Sequence, residues 1–145
     1  MSFKAFNAGC NVVALRKDGR KWGMCCSWAQ MVDYDKIALL IGSQSDTGKQ
    51  LSPGDVVGVS ALAQGQQALA EALGSGHGGS ADKFSGIPHD LEDTAILIPG
   101  AKVRMVCRVR DIVRLPGMEA DRFVILDVLR HRTRSDVGFL DAEWY

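Results

Sequence analysis

Short apolar runs, each bounded by polar turn residues, set the pattern of hydrophobic and polar positions along this chain. Runs of this kind that are rich in β-branched side chains are typical of strands. The predicted strands cover residues 11–17, 20–28, 37–42, 56–62, 94–98, 102–114 and 122–130. One stretch, 64–73, has apolar residues at helical spacing and predicts a helix.

A tight hairpin is the clearest local prediction. Asp18-Gly19 separates the first two predicted strands, which is a strong signal for a two-residue turn. This turn would place Leu15 opposite Trp22 and Val13 opposite Met24. The second strand of the hairpin therefore carries the first part of the stretch 23–35.

The run 102–114 alternates with a period of two. The pattern predicts a long strand with one solvated face and one core face. Lys102, Arg104, Arg108, Arg110 and Arg114 share the basic face, and Val103, Met105, Cys107, Val109 and Val113 share the apolar face. A row of arginines could bind RNA, but no aromatic residue is interleaved for base stacking. A solvated or interface face is therefore favoured.

The predicted connections are mostly hairpins, and strands do not alternate regularly with helices. An antiparallel, mainly β barrel is the natural way to bury so many strands without exposed edges. At 145 residues the chain is expected to form a single domain.

Charge and composition narrow the functional classes. Lys and Arg total 17, and so do Asp and Glu, so no overall field attracts nucleic acid or an anionic membrane. The N-terminus lacks the apolar core of a signal peptide and no apolar run is long enough to span a bilayer, which predicts a soluble cytoplasmic protein. The four cysteines form no Cys-x-x-Cys pair, so free thiols are expected and no zinc site is predicted.

The stretch 23–35 is unusual for a buried strand because it holds two thiols, a hydroxyl and an indole close together. These groups belong to Cys25, Cys26, Ser27 and Trp28. Alternation along a strand would point the two adjacent thiols to opposite faces. A role beyond core filling is therefore expected for the second half of this stretch.

A second unusual stretch, 43–49, directly follows a predicted strand. Ser45 or Asp46 can cap a short helical turn here. The stretch resembles a Walker-type phosphate loop, but its glycine spacing is one residue too long and Gln50 stands where a magnesium-binding hydroxyl is needed. Backbone amides at a helix start, two hydroxyls and a lysine can still hold one phosphate group. A capped turn with a solvated lysine is the equal alternative.

Two further segments carry candidate residues. The glycine-rich loop 74–80 could close over a site, but its one histidine, His77, is more simply interpreted as exposed. The apolar residues of the tail 139–145 are expected to dock on the domain or on a partner subunit.

An ordered set of short motifs runs through about the first two thirds of the chain. It consists of Val12-Val13-Ala14, Asp18-Gly19, Gly23-Met24 with Ser27-Trp28, Val32, Ser45-x-Thr47, Val59-x-x-Leu62, Gln66 with Leu69-Ala70, and Lys83-Phe84-Ser85-Gly86. The set resembles the flavin reductase-like family, and its flavoredoxin branch looks closest. The resemblance implies an FMN-binding split β-barrel, usually a homodimer.

The resemblance also implies which residues form the flavin site. A strand end would lie along the isoalloxazine ring, a turn would hold the FMN phosphate, and a later segment would close over the flavin or reach it from the dimer partner. The implied residues are Cys25, Cys26, Ser27 and Trp28 for the ring, Ser45, Thr47 and Lys49 for the phosphate, and Lys83 and Phe84 for the closing segment, with Met24, Ser43 and Gln44 as further cofactor-binding residues.

The implied activity is that of an oxidoreductase that passes electrons from NADH or NADPH through bound FMN to a flavin, an iron chelate or a protein acceptor. Because the flavin carries the chemistry, no catalytic acid or base is required and none is assigned. The chain is short for the family, so a non-catalytic FMN protein for electron transfer or flavin storage is the main alternative. A binding module that uses the arginine row, and a split barrel that holds haem or a deazaflavin, are further alternatives.

Overall fold

The computed structural model describes residues 3, 5–6, 8–74 and 84–141. This part of the chain is mainly β, as predicted. Its elements are β1 (Asn11–Lys17), β2 (Arg20–Cys26), β3 (Ala29–Asp33), β4 (Lys36–Ile41), α1 (Asp46–Gln50), β5 (Val56–Ala61), α2 (Gln67–Gly74), β6 (Asp90–Glu92), β7 (Ala95–Leu97), β8 (Val103–Leu115) and β9 (Met118–Thr133).

The strands of the described residues form one antiparallel sheet. Its order is β3-β4-β9-β8-β5-β1-β7-β6, and β2 also pairs with β1. Strands β2 and β3 follow one another in the chain but pair with different neighbours, β1 and β4, so the sheet curls round without closing between them. This architecture is the split β-barrel that the resemblance implied.

The first hairpin has the predicted turn and the predicted register. Leu15 pairs with Trp22, and Val13 pairs with Met24. Asp18-Gly19 has positive φ at both positions, 54° and 75°, as a type I′ turn requires. The prediction of a two-residue hairpin is therefore confirmed.

Two apolar clusters lie on the two faces of β1. The inner cluster fills the curl of the sheet and includes Val13 and Leu39. The outer cluster lies between the other face of β1 and helix α2 and includes Val12 and Leu73. Strand β1 is continuously apolar because its alternate residues supply both clusters.

The sequence pattern misses β3 and β6. Four of the five residues of β3 are exposed, and it forms one end of the strand order, so its composition lacks the apolar alternation of a half-buried strand. Strand β6 is three residues long and fully exposed, and it exists through its pairing with β7. Both strands form because of pairing with a neighbouring strand, and neither has a run of alternating apolar residues that a sequence pattern could reveal.

The predicted helix starts three residues too early. Gly65 has a φ of 95°, and the Gln66 side chain accepts a hydrogen bond from the Ala63 N–H at 2.9 Å. A left-handed residue cannot belong to the helix, so α2 begins only at Gln67. Neither helix in the described ranges is long and apolar enough to cross a membrane.

The basic face of β8 is not solvated along its whole length, in contrast to the prediction. Val106 lies on this face and is buried against Ala95 and Leu97 of β7. The β6–β7 hairpin covers the strand there, and Arg104 forms an ion pair with Asp90 at 3.4 Å. Part of the arginine row therefore holds two elements of the same chain together.

Gly58 lies where β7 passes over β5 at close range. A Cβ atom on Gly58 would lie 2.0 Å from the carbonyl oxygen of Ile96, a backbone atom that cannot swing aside. We expect Gly58→Ala to lower the free energy of unfolding by about 2–3 kcal/mol. Gly9→Ala is the control, because its Cβ would meet the nearest backbone oxygen at 3.6 Å, an ordinary contact. Urea denaturation measures both variants, and equal stabilities would contradict the close approach.

Candidate functional site

The unusual strand end forms the connection between β2 and β3. Cys26 is buried in the inner cluster, whereas Cys25 contacts the outer cluster and directs its thiol to the Ala70 carbonyl oxygen at 3.4 Å. The two thiols point to opposite faces, as predicted. Trp28 is 65% exposed, and its carbonyl oxygen accepts a hydrogen bond from the Leu40 N–H at 2.9 Å. An exposed indole is thereby held at the split in the barrel.

The segment 43–49 leaves the end of β4 and forms the short helix α1. Ser45, one of the two predicted caps, is the N-cap, and its Oγ accepts a hydrogen bond from the Gly48 N–H at 2.9 Å. The same Oγ lies 3.0 Å from the Sδ atom of Met24 on β2. The strand end and the turn, which are separated by about fifteen to twenty residues in the sequence, are therefore neighbours in the structure.

Thr47 holds the most informative polar groups of the turn. The residue is only 2% exposed, yet neither its hydroxyl nor its backbone N–H has a hydrogen-bond partner among the described residues. The backbone N–H groups of Gln44, which is exposed, and of Asp46, which is half-buried, also have no protein partner in this part of the chain. Buried polar groups are nearly always hydrogen bonded, and the first N–H groups of a helix need an external acceptor. An anionic oxygen group such as phosphate would satisfy these donors.

The charge at the turn comes from Lys49. Its side chain is 60% exposed, and its Nζ lies 3.9 Å from the carboxylate of Asp46. This loose ion pair contributes little and leaves the ammonium able to reach an anion. Ser43 and Gln44, at the start of the turn, are also exposed. Ser45 differs from these residues because its hydroxyl is already used inside the fold.

Phe84 contributes to packing beneath the strand end. Its ring is buried in the outer cluster and lies against Gly23, where a Cβ atom would come within 2.5 Å of it. The ring also contacts the imidazole of His89, with centroids 5.0 Å apart. Phe84 and Cys25 thus belong to one cluster, and a contact of Phe84 with a flavin stays a prediction.

Three of the predicted segments lie outside the described residues. They are Lys83, His77 with residues 75–80 of its loop, and the tail residues 142–145.

Sequence reasoning misses two residues of β9 that contact the turn. A carboxylate oxygen of Asp121 accepts a hydrogen bond from the Ser43 N–H at 3.2 Å. The Arg122 guanidinium donates to the carbonyl oxygens of Gly48 and Leu51, the latter at 2.9 Å. Burial, together with the nearby positive charge of an arginine on β8, lowers the pKa of Arg122. No local pattern could reveal these contacts, because β9 reaches the turn only through its pairing with β4.

An apolar cavity of about 530 Å³ lies at one end of the barrel. Its walls include Ala29 and Met31 of β3, Met105 of β8 and Phe139 near the C-terminus. One of its lining residues, Ala29, directly follows Trp28 in the chain.

The buried thiols of Cys26 and Cys107 are poor nucleophiles at neutral pH. Burial raises the pKa of Cys26 to about 11 and that of Cys107 to about 12. Both thiols therefore stay protonated at neutral pH and act as small apolar groups. Within the described ranges, no group of three or more His, Cys, Asp or Glu side chains is placed to hold a metal ion.

Comparison with known families gives one match over nearly the whole chain. The sequence model of the family described as "Flavin reductase like domain" matches residues 3–143. A comparison with curated proteins finds no match.

Several solved structures are similar to this chain. An NADH:FAD oxidoreductase from Streptomyces globisporus has a TM-score of 0.83 and 19% identity, over 92% of this chain and 80% of that one. A flavoredoxin from Methanosarcina acetivorans has a TM-score of 0.79 and 12% identity, over 99% and 89% of the two chains. An FMN-binding protein from Thermus thermophilus has a TM-score of 0.79 and 19% identity, over 94% and 83%. At these identities, the likeness establishes the shared fold.

The raised pKa of Cys26 makes stability depend on alkaline pH. Above about pH 9 the thiol ionises in the unfolded chain but stays protonated in the folded one, so unfolding becomes easier as pH rises towards 11. We expect Cys26→Ala to have a lower free energy of unfolding at pH 7 but a shallower decline between pH 9 and 11. Denaturant titrations of both proteins across this range measure the difference in slope. Parallel pH profiles would contradict the raised pKa.

Proposed function

Because this chain belongs to the flavin reductase like domain family, we propose that it binds FMN and uses it to pass electrons from NADH or NADPH to a second flavin or another acceptor. The contact between Met24 and Ser45 is the observation that carries this proposal. It joins a strand end with an exposed aromatic side chain to a turn with unsatisfied hydrogen-bond donors. FMN combines a flat apolar ring with a phosphate, which is the combination that these two parts suit.

The turn has the hydrogen-bond donors and the positive charge that a phosphate group requires. In our assignment the N–H groups of Gln44, Asp46 and Thr47 and the Thr47 hydroxyl donate to phosphate oxygens, and the ammonium of Lys49 supplies the opposite charge. Ser45 acts indirectly, since its hydroxyl caps α1 and sets the shape of the turn. Hydrogen bonds to a charged acceptor are stronger than neutral ones, so a few such donors are enough to anchor the cofactor.

The strand end would bind the ring. Trp28 offers an exposed aromatic surface to the flavin ring. The Cys26 thiol, whose pKa is raised to about 11, stays neutral inside the inner cluster and supports the strand end from within the barrel. Bound there, FMN would supply hydride and electron transfer, so the chain itself needs to bind the cofactor, orient it and adjust its electrostatic surroundings.

Absorption spectroscopy and an NAD(P)H oxidation assay test the proposal. We expect FMN added to the purified protein to bind in a one-to-one ratio with a shifted flavin spectrum, and NADH or NADPH to be oxidised when a free flavin is present as acceptor. Binding without oxidation would favour the alternative, an FMN protein that carries electrons or stores flavin. Absence of FMN binding would contradict both functions.

Thr47 allows stability and binding to be separated. Thr47→Val removes the hydroxyl and keeps the shape, so it removes a buried polar group that has no partner in the described chain. We expect this variant to equal or exceed the wild type in stability without FMN and to bind FMN about tenfold more weakly. Thr47→Ser keeps the hydroxyl and is expected to bind FMN within about threefold of the wild type. Fluorescence titration with FMN checks both, and unchanged affinity in Thr47→Val would remove the hydroxyl from the site.

We further propose that the protein is a homodimer whose interface includes β3. The strand stands at the end of the sheet order, and Met31, Val32 and Tyr34 in and beside it are all more than half exposed. Exposed apolar edge strands are uncommon in monomers, because they pair readily with other chains. Covering this edge by a second copy would remove the exposure.

A charge placed on β3 tests this interface. We expect Met31→Lys to weaken the dimer by at least about tenfold, because it would bury an unpaired charge. Met118→Lys is the matched control, because it changes an exposed methionine in the β8–β9 hairpin, away from β3. It should leave the dimer intact. Sedimentation velocity over a range of concentrations measures the association. A wild type that stays monomeric, or equal effects of the two variants, would contradict the proposed interface.

A further inference from the structure

The turn that holds the unsatisfied donors is fixed at both of its ends by one neighbouring strand. Ile41 at the end of β4 pairs with Arg122 of β9, so β9 lies beside the turn where it leaves the sheet. Asp121 accepts a hydrogen bond from the Ser43 N–H at 3.2 Å, at the start of the turn. Arg122 donates to the carbonyl oxygens of Gly48 and Leu51, at the end of α1.

The partners of Arg122 are unusual for a half-buried guanidinium. Among the described residues it forms no ion pair, and its hydrogen bonds go to the neutral backbone carbonyls of Gly48 and Leu51. A partly buried charge without a counter-ion costs free energy, and a positive charge so close to the turn adds to the attraction for an anion. Helix α1 has five residues, too few to be stable without such support from its neighbours.

We infer that Asp121 and Arg122 are the positioning residues of the phosphate turn, which they hold in the conformation that presents its N–H groups to the phosphate of FMN. This inference rests on the proposed function. Asp121 and Arg122 act through the turn and through the charge that Arg122 adds, so they are not catalytic residues. Loss of either should weaken the part of the affinity that the phosphate supplies and spare the part that the ring supplies.

The ratio of the dissociation constants for riboflavin and FMN isolates this effect, because riboflavin has the same ring and no phosphate. We expect Arg122→Gln to weaken FMN binding by about ten- to a hundredfold and riboflavin binding by less than about threefold. We expect the same pattern for Asp121→Ala, whereas Asp121→Asn keeps an acceptor for the Ser43 N–H and should retain most of the affinity.

Arg114→Gln is the matched control. Arg114 lies near Arg122 and is exposed, but its guanidinium donates to the Glu119 carbonyl oxygen and not to the turn. The variant removes the same charge from the same region without loosening the turn. At about 0.15 M salt its effect on the ratio should stay below about threefold, because exposed charges are then largely screened.

The outcomes separate this inference from the proposed function. Wild-type protein that binds neither flavin would refute the proposed function and the inference with it. Wild-type protein that binds FMN and riboflavin equally well, or Arg122 and Asp121 variants that lose both flavins in proportion, would overturn the inference alone. Thermal melting of each variant without flavin shows whether it is folded. If Arg122→Gln does not fold, the Asp121→Ala and Asp121→Asn pair decides the same question.

Discussion

The register of the β1–β2 hairpin is the constraint on which the rest of the site depends. The Asp18-Gly19 turn sets this register, and it pairs Val13 with Met24. A slip of one residue would exchange the two faces of β2. Met24 would then point away from Ser45, and the Cys25 thiol would enter the barrel in place of Cys26. Such a slip would be costly because it would turn the side chains of Trp22 and Cys26, which β2 buries in the inner cluster, away from that cluster.

The site combines a rigid part and a part that depends on its neighbours. The strand end belongs to a well-packed ladder with buried side chains on both faces. The turn contains a five-residue helix that is held by the Ser45 cap, by Met24 and by two residues of β9. A turn of this kind can keep donors such as the Thr47 N–H unsatisfied, because contacts elsewhere in the fold supply the stability that those donors do not.

Local features of the fold were predictable from sequence, and features that join distant segments were not. The hairpin turn, the Ser45 cap and the opposite orientation of Cys25 and Cys26 each depend on a few adjacent residues. The motif order also identified the family, which the match over residues 3–143 confirms. By contrast, the Phe84 ring that packs on Gly23 and the contacts of Asp121 with the turn join segments about sixty to eighty residues apart. Strand β3 was not predicted, because four of its five residues are exposed and its sequence therefore lacks the apolar alternation of a half-buried strand.

In the proposed site, the segment 43–49 holds the phosphate of FMN beside the strand end. Amide signals in a ¹H–¹⁵N NMR titration report on this claim directly. We expect FMN to shift the amide signals of Gln44, Asp46 and Thr47 strongly, together with those of 25–28, and riboflavin to shift mainly the latter. Shifts that leave the turn unchanged on addition of FMN, while other parts of the chain respond, would contradict it.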